Sequence, residues 1–331
     1  MMKTIQIENS EIKLELLTIG ACIYKCETKN RDGVFENIVL NFADKKEYEK
    51  PGGPNFGVVV GRVAGRIRNG SFNLGETKYI LPQNDGSHHL HGGLGYGLCE
   101  WMLIEHTTKS VTFLLEDADG NQGYPGAIKT TVCYKLDGNM LIIQYDAISN
   151  EQTLWDPTQH SYWNLSGACQ EPILNQYLQI SANSYIPLDE IGMVRDEIHP
   201  VEGTIFDVRK AKLIADIIAS TDEQISFGSG GYDHPFVLNH KHEKVAKLLD
   251  PISGRMLSIT TDKPAIIVYM ACKLGSEYTT SIGKKTEKYA GICLETQHIP
   301  NAINAANGSE IPIIEPNEIR KSTTIIEFGI Y

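Results

Sequence analysis

The sequence predicts an all-β protein, a large antiparallel β-sandwich with a few short helices, on three observations. Apolar and polar residues alternate with a period of two in segment after segment, clusters of turn residues separate those segments, and apolar residues almost nowhere recur at helical spacing. Successive side chains of a strand point to opposite faces, so this alternation sets one face toward a core and the other away from it.

The alternation starts in KTIQIE (residues 3–8) and IKLELL (12–17) and resumes in VTFLLE (111–116), KTTVCYKL (129–136) and MLIIQYDAIS (140–149). It continues through YLQISA (177–182), RMLSITT (255–261), AIIVYMA (265–271) and GICLETQ (291–297), and closes in TTIIEFGIY (323–331). Turn clusters fall at residues 29–33, 136–139 and 250–254, and Asp137-Gly138 between two alternating runs marks a hairpin. Helix is expected in two places: one turn at residues 44–48, and residues 209–220, where Leu213, Ile214, Ile217 and Ile218 have helical spacing. So many strands must stack or close, which predicts a sandwich with its site in a groove across one sheet. There is no Ser/Gly-rich linker, charge block or fixed-period repeat, so residues 1–331 read as a single domain.

The chain carries 30 Lys plus Arg against 41 Asp plus Glu, a net charge of −11. That surplus of acid disfavours nucleic acid or an anionic membrane as partner, since both attract a basic footprint. The longest apolar stretch, residues 265–272, is far below the roughly 18 residues of a membrane helix. Seven cysteines are odd in number, lack a CxxC pair and mostly sit in apolar runs, which predicts buried free thiols in a reducing compartment. The amino-terminal MMKTIQIENSEIKLELL alternates from its start and has no signal-peptide core. A cytoplasmic protein, monomer or homodimer, is the expectation.

Five segments interrupt the alternation with polar and aromatic residues: residues 55–67 with Arg62 and Arg66, HHLHGG (88–93), HSYWNLSG (160–167), GYDHP (231–235) and GICLETQHIP (291–300). In the last, alternation sends Ile292, Leu294 and Thr296 to one face and Cys293, Glu295 and Gln297 to the other. Partial burial of that second face would raise the Glu295 carboxyl and make it a better base near neutrality. His160 lies among Trp155, Tyr162 and Trp163, a setting that suits either a sugar ring or plain core packing. Arg66, read as part of a strand sharing a face with Ala64 and Arg68, fits a ligand contact or a surface salt bridge equally. His89 and His91 could ligate a metal from one strand face, whereas Glu295 and His298 have a spacing useful only on a helix, so no metal is expected. No Walker sequence and no nucleophile-elbow context occur.

Taken in order, these segments resemble the aldose 1-epimerase, or galactose mutarotase, family. GRVAGRIRNGSF (61–72), LHGG (90–93), HSYWNLSG (160–167), GTIFDVR (203–209), GYDH (231–234) and LETQHIPNA (294–302) match its signatures across nearly the whole chain. The resemblance implies a β-supersandwich with a groove for a monosaccharide substrate and no cofactor. It implies that His160 is the general acid and Glu295 the general base, with Arg66, His91, Tyr162 and Asp233 binding the sugar. Gly65 and Ile267 depart from the pattern, standing where the family usually has Asn and commonly has Gln. One carboxylate and one imidazole suffice for the implied reaction, since exchanging α and β anomers needs a proton off the C1 hydroxyl and one onto the ring oxygen. A bell-shaped pH profile follows, with Glu295 expected on its acid limb and His160 on its basic limb. A non-catalytic sugar-binding protein on the same scaffold, and a glycoside hydrolase using Asp233 with Glu295, are the rival readings.

Overall fold

The computed structural model describes residues 2–239 and 244–331. A nine-stranded antiparallel sheet runs, edge to edge, Met102–His106, Ser110–Asp117, Ile128–Asp137, Met140–Ser149, Ile319–Ile330, Arg255–Thr261, Ala246–Leu249, Tyr177–Ile180 and Lys212–Leu213. A six-stranded sheet runs Tyr162–Trp163, Ile292–Gln297, Ala265–Tyr269, Asp233–Leu238, Ala182–Tyr185 and His199–Pro200. The amino-terminal strands Thr4–Glu8, Ile12–Leu17, Cys22–Lys29 and Phe35–Asn37 form a third sheet of four.

The two large sheets bury one face each against the other. Val111, Phe113, Val132, Tyr134, Ile143 and Phe328 from the first sheet join one core with Trp163, Ile266, Val268, Ile292 and Leu294 from the second. Contacts between the layers are direct: Trp163 packs on Phe328 with ring centroids 5.9 Å apart, and the Thr296 and Thr324 hydroxyls hydrogen-bond at 2.7 Å. Removing a ring such as Phe113 from such a core costs about 3–5 kcal/mol. Ile292, Leu294 and Thr296 thus face the core as their alternation requires, which turns Cys293, Glu295 and Gln297 to the outer face of the six-stranded sheet.

The alternating segments form strands close to their expected limits. Met140–Ser149 and Arg255–Thr261 match to the residue, and Ile128–Asp137 turns through Gly138-Asn139 into Met140. Residues 177–182 instead divide between two sheets, because the backbone leaves the first at Ile180 and enters the second at Ala182. The helix expected over 209–220 shrinks to Ile214–Ile218 after the short strand Lys212–Leu213, whose pairing with Tyr177–Leu178 overrides the helical spacing. A second α-helix, Glu223–Phe227, capped by the Asp222 side chain, gave no periodic signal in its five residues. Residues 45–49 form the expected single turn, capped by Asp44.

Two buried ionic clusters hold the segments that reach the site. Arg62 donates from Nε and Nη2 to Asp117 at 2.9 and 2.7 Å and from Nη1 to the Pro125 and Gly126 carbonyls, anchoring the chain ahead of Arg66. Asp156 accepts from Lys263 Nζ at 2.7 Å, from the His298 backbone N–H at 2.8 Å and faces His298 Nδ1 at 2.8 Å. Burial alone would raise the Asp156 carboxyl, but Lys263 and His298 outweigh it and hold the group well below its ordinary range. The strand carrying Glu295 is therefore fastened just beyond its end.

Candidate active site

The outer face of the six-stranded sheet is roofed by the loops around Arg66, His91 and Leu188, which leave a cavity of about 210 Å³. At ~30 Å³ per water this is room for about seven waters or a single sugar ring. Arg66, His91, His160, Tyr162, Asp233 and Glu295 all line it, so the structure brings together the six residues that the family resemblance implied for the site.

Register explains the meeting of His160 and Glu295. Tyr162 pairs with Cys293, and continuing that antiparallel register by two residues sets His160 opposite Glu295. Their facing atoms, Nε2 and Oε1, lie 3.5 Å apart, with both side chains almost wholly buried. The second carboxylate oxygen of Glu295, Oε2, is buried and has no partner. Behind the imidazole, the Cys293 thiol lies 3.6 Å from Nδ1. Burial raises that thiol well above its ordinary range, with Glu295 and Asp233 adding to the effect, so the sulfur keeps its proton.

Burial moves the pair in opposite directions. Glu295 is pushed up to about 8, first by burial and then by the nearby Asp233 charge, with Arg66 opposing. His160 is lowered to about 4 by burial, with its own backbone and Asp233 opposing. At neutral pH the pair therefore holds one proton, on the carboxyl, beside a neutral imidazole. Burial thus orders the two groups opposite to the expectation from the sequence, the carboxyl above the imidazole, with the two limbs of a pH profile belonging to the coupled pair.

The remaining groups form the polar wall. Arg66 Nε donates to Asp85 at 2.7 Å and its Nη1 is 3.8 Å from Asp233, which also takes Lys273 Nζ at 3.2 Å. The surface salt bridge considered for Arg66 is thus part of a network at the cavity wall, of which Arg66, Asp233 and Lys273 line the cavity, and its strand is only Arg66–Ile67. Gly65 sits at φ +75°, a conformation that favours glycine, and a Cβ there would press within 2.9 Å of Pro300. The chain turns at Gly65, so Arg66 does not share a strand face with Ala64 or Arg68. Ala64 is buried in the core, and Arg68 reaches the Val194 carbonyl and Asp189.

His91 Nδ1 accepts the Gly65 backbone N–H at 3.1 Å. Burial, with His160 and Arg66 adding to it, keeps this ring neutral by lowering it well below its usual range, so its proton resides on Nε2. The nitrogen ligands of His91 and His160 and a Glu295 oxygen lie within 4.8 Å of one another, a spacing that a metal could bridge. A metal at His91 Nε2 would have to displace that proton and forfeit the Gly65 hydrogen bond, so the ring is built to donate to an oxygen. His89 turns away to the Pro82 carbonyl, and His298 to Asp156, so neither pairing raised from spacing forms.

Of the three aromatic residues near His160, only Tyr162 lines the cavity, and its hydroxyl donates to the Pro54 carbonyl at 2.8 Å. Trp163 and Trp155 are core: the first packs on Phe328, the second donates to Thr130 and lies under Lys263. Tyr162 and Trp163 are consecutive in a strand and cannot share a face. His234 is also core, its Nδ1 accepting from the Asp233 N–H and its Nε2 facing Gln224. Sequence reasoning missed Tyr269, Lys273, Asp85 and the apolar lining of Leu188 and Val194. Tyr269 alone carried a usable signal, two residues beyond Ile267 and so on the same face.

The model of the aldose 1-epimerase family matches residues 3–327. The chain belongs to that family. It is 34% identical to the galactose mutarotase of Sus scrofa over 328 residues, covering 98% of this chain and 93% of the pig protein. It is 33% identical to the aldose 1-epimerase of Escherichia coli K12 over 330 residues, 97% of this chain and 93% of that one. Among solved structures, an aldose epimerase homologue from C. elegans superposes with a TM-score of 0.91 at 25% identity, covering 100% and 99% of the two chains. Galactose 1-epimerase from Lactobacillus acidophilus NCFM superposes with 0.85 at 30% identity, again over 100% and 99%. The family's fold is the all-β sandwich described above.

Proposed function

We propose that this chain is an aldose 1-epimerase that interconverts the α and β anomers of a free aldose such as galactose. The observation that carries the reading is the buried contact of 3.5 Å between His160 Nε2 and Glu295 Oε1, facing a cavity the size of one sugar ring. Ring opening needs a carboxylate at the C1 hydroxyl and a protonated imidazole at the ring oxygen, so the shared proton first crosses from Glu295 to His160. Glu295, through the unpartnered Oε2, then takes the hydroxyl proton while His160 Nε2 protonates the ring oxygen, and the C1–O5 bond breaks to give the aldehyde.

At that point the carboxyl is protonated and the imidazole neutral, the pattern that burial favours in this site. The site thereby offsets part of the cost of the open chain. After rotation about C1–C2, the same groups act in reverse and the other anomer leaves. Arg66, His91 and Asp233 donate to or accept from sugar hydroxyls, and Tyr162 supplies a ring wall. A guanidinium cannot serve as base, and Asp233, held between Arg66 and Lys273, is a poor partner for Glu295 in glycoside hydrolysis.

The acid, the base and the binding groups come from residues 66–295, so the chain works as one unit, and seven free thiols fit a cytoplasmic setting. Polarimetry of freshly dissolved α-D-galactose with catalytic amounts of protein tests the proposal. The expected result is accelerated equilibration unaffected by EDTA, without hydrolysis of nitrophenyl galactosides. No acceleration with any aldose would overturn it in favour of a sugar-binding role.

A further inference from the structure

Gln297 follows Glu295 by two residues in the strand Ile292–Gln297, so it points to the same face ~7 Å further along. The residue is 1% exposed and lines the cavity. Its register partner, Ala265, has no polar side-chain atom and belongs to an apolar cluster with Leu188 and Val194, which line the cavity too. The charged network lies on the other flank of Glu295: Asp233 pairs with Tyr269, and Tyr269 pairs with Cys293, two residues before Glu295. Glu295 thus stands between a charged flank and one where the Gln297 amide sits among apolar residues.

The amide has a defined orientation. Nε2 donates to the His298 carbonyl at 3.3 Å, and a carbonyl accepts only from the nitrogen end, so Oε1 is the end left over. Among the described residues nothing donates to that oxygen. The nitrogen end lies under the roof, where a Cβ on Gly65 would come within 3.1 Å of it. Buried polar atoms are in the large majority paired, and an acceptor left without a donor is costly. An amide present only to brace His298 would carry that cost for nothing, whereas an apolar side chain would line the flank without it.

We propose that Gln297 is a sugar-binding residue that sets specificity: its Oε1 accepts a hydrogen bond from a hydroxyl of the bound aldose, on the flank of Glu295 away from Asp233. This rests on the aldose 1-epimerase reading and deepens it. The cavity holds one ring, so a sugar that fills it meets the lining on both flanks. Glu295 works at the C1 hydroxyl, so the hydroxyl that Gln297 reads is another one. An analogue lacking that hydroxyl leaves Oε1 buried and unpaired in the complex, and a site left in that state rejects the analogue by a large factor.

The test measures kcat/KM by polarimetry for galactose and its 2-, 3-, 4- and 6-deoxy analogues, each corrected for its own spontaneous rate. The enzymes compared are the parent and Gln297→Met, which keeps the length of the side chain but not the acceptor. In the parent at least one analogue should fall about tenfold or more below galactose, and in Gln297→Met that ratio should shrink to within about threefold. Ratios between substrates of one enzyme cancel a general loss of activity, so a role confined to bracing His298 would leave them unmoved. Unchanged ratios in the active variant overturn the proposal, and so does a parent that discriminates against none of the analogues. If Gln297→Met fails to fold, Gln297→Asn, which withdraws the oxygen by one methylene, is read in its place by the same criteria. Should the parent not turn over galactose itself, the aldose 1-epimerase reading fails, a result distinct from an unchanged ratio.

Discussion

Replacing Glu295 with Gln should make this protein slower and, above neutral pH, more stable. In the native chain the carboxyl has moved from 4.5 to about 8, chiefly by burial. The folded state thus keeps a proton that the unfolded chain releases, and stability falls as pH rises between those two values. At ~1.36 kcal/mol per unit the penalty is about 1 kcal/mol at pH 5, about 3 at pH 7 and about 4 at pH 8. Gln keeps the volume and carries no such penalty. Its amide adds a cost of its own in the same cavity, but that cost does not vary with pH. The difference in Tm between Glu295→Gln and the parent is therefore the informative quantity. With ~2.1 cal/mol/K per residue of unfolding entropy over this chain, 1 kcal/mol is about 1.4 °C, so the difference should climb by about 5 °C from pH 5 to pH 8. Scanning calorimetry or dye-monitored melting in a pH series measures it, and polarimetry on the same samples should show kcat reduced by at least about 10²-fold with sugar binding retained. A Tm difference that stays flat with pH would refute the buried-base account, and near-normal turnover would refute the mechanism.

The pH dependence of kcat/KM for the parent enzyme should be bell-shaped, with limbs near pH about 4 and about 8, each an apparent value of the coupled pair. Activity already lost between about pH 6 and 7 would contradict the one-proton state. Asp156→Asn leaves Lys263 without its partner in the core and should lower stability by about 3–5 kcal/mol, a Tm drop of roughly 4–7 °C, and an unchanged Tm would show that the cluster is not holding the strand of Glu295. In the parent, the Asp156 contribution should fade as pH falls, because its folded value is lowered. Tyr162→Phe should change the galactose KM by less than about threefold, since the hydroxyl proton is committed to the Pro54 carbonyl, whereas Asp233→Asn should raise it about tenfold or more. The reverse ordering in initial-rate polarimetry would exchange their roles.

What alternation along the chain specifies is a face, and on that point the sequence was a good guide. Ile292 and Leu294 are core, Glu295 is not, and the strands that carry them run within a residue or two of their expected limits. The same rule, applied to Tyr162 and Trp163, would have separated a cavity wall from a core residue, yet their shared nearness to His160 suggested one aromatic surface. Alternation does not specify a neighbour. That Asp85 and Asp233 meet at Arg66, or that His160 lies opposite Glu295, follows from pairings between strands far apart in the chain. The inverted titration of the acid/base pair has the same origin, since burial and the charge of Asp233 are supplied by other strands. Motif resemblance carried the pair across that gap, because it reports which residues act without reporting what surrounds them. Ile267 marks the difference. Within its strand it is one more apolar residue of AIIVY, and only its register between Glu295 and Pro235 places it in the cavity wall beside the carboxyl. Catalytic chemistry was therefore legible from residue types in order, whereas selectivity belongs to the rows across the sheet.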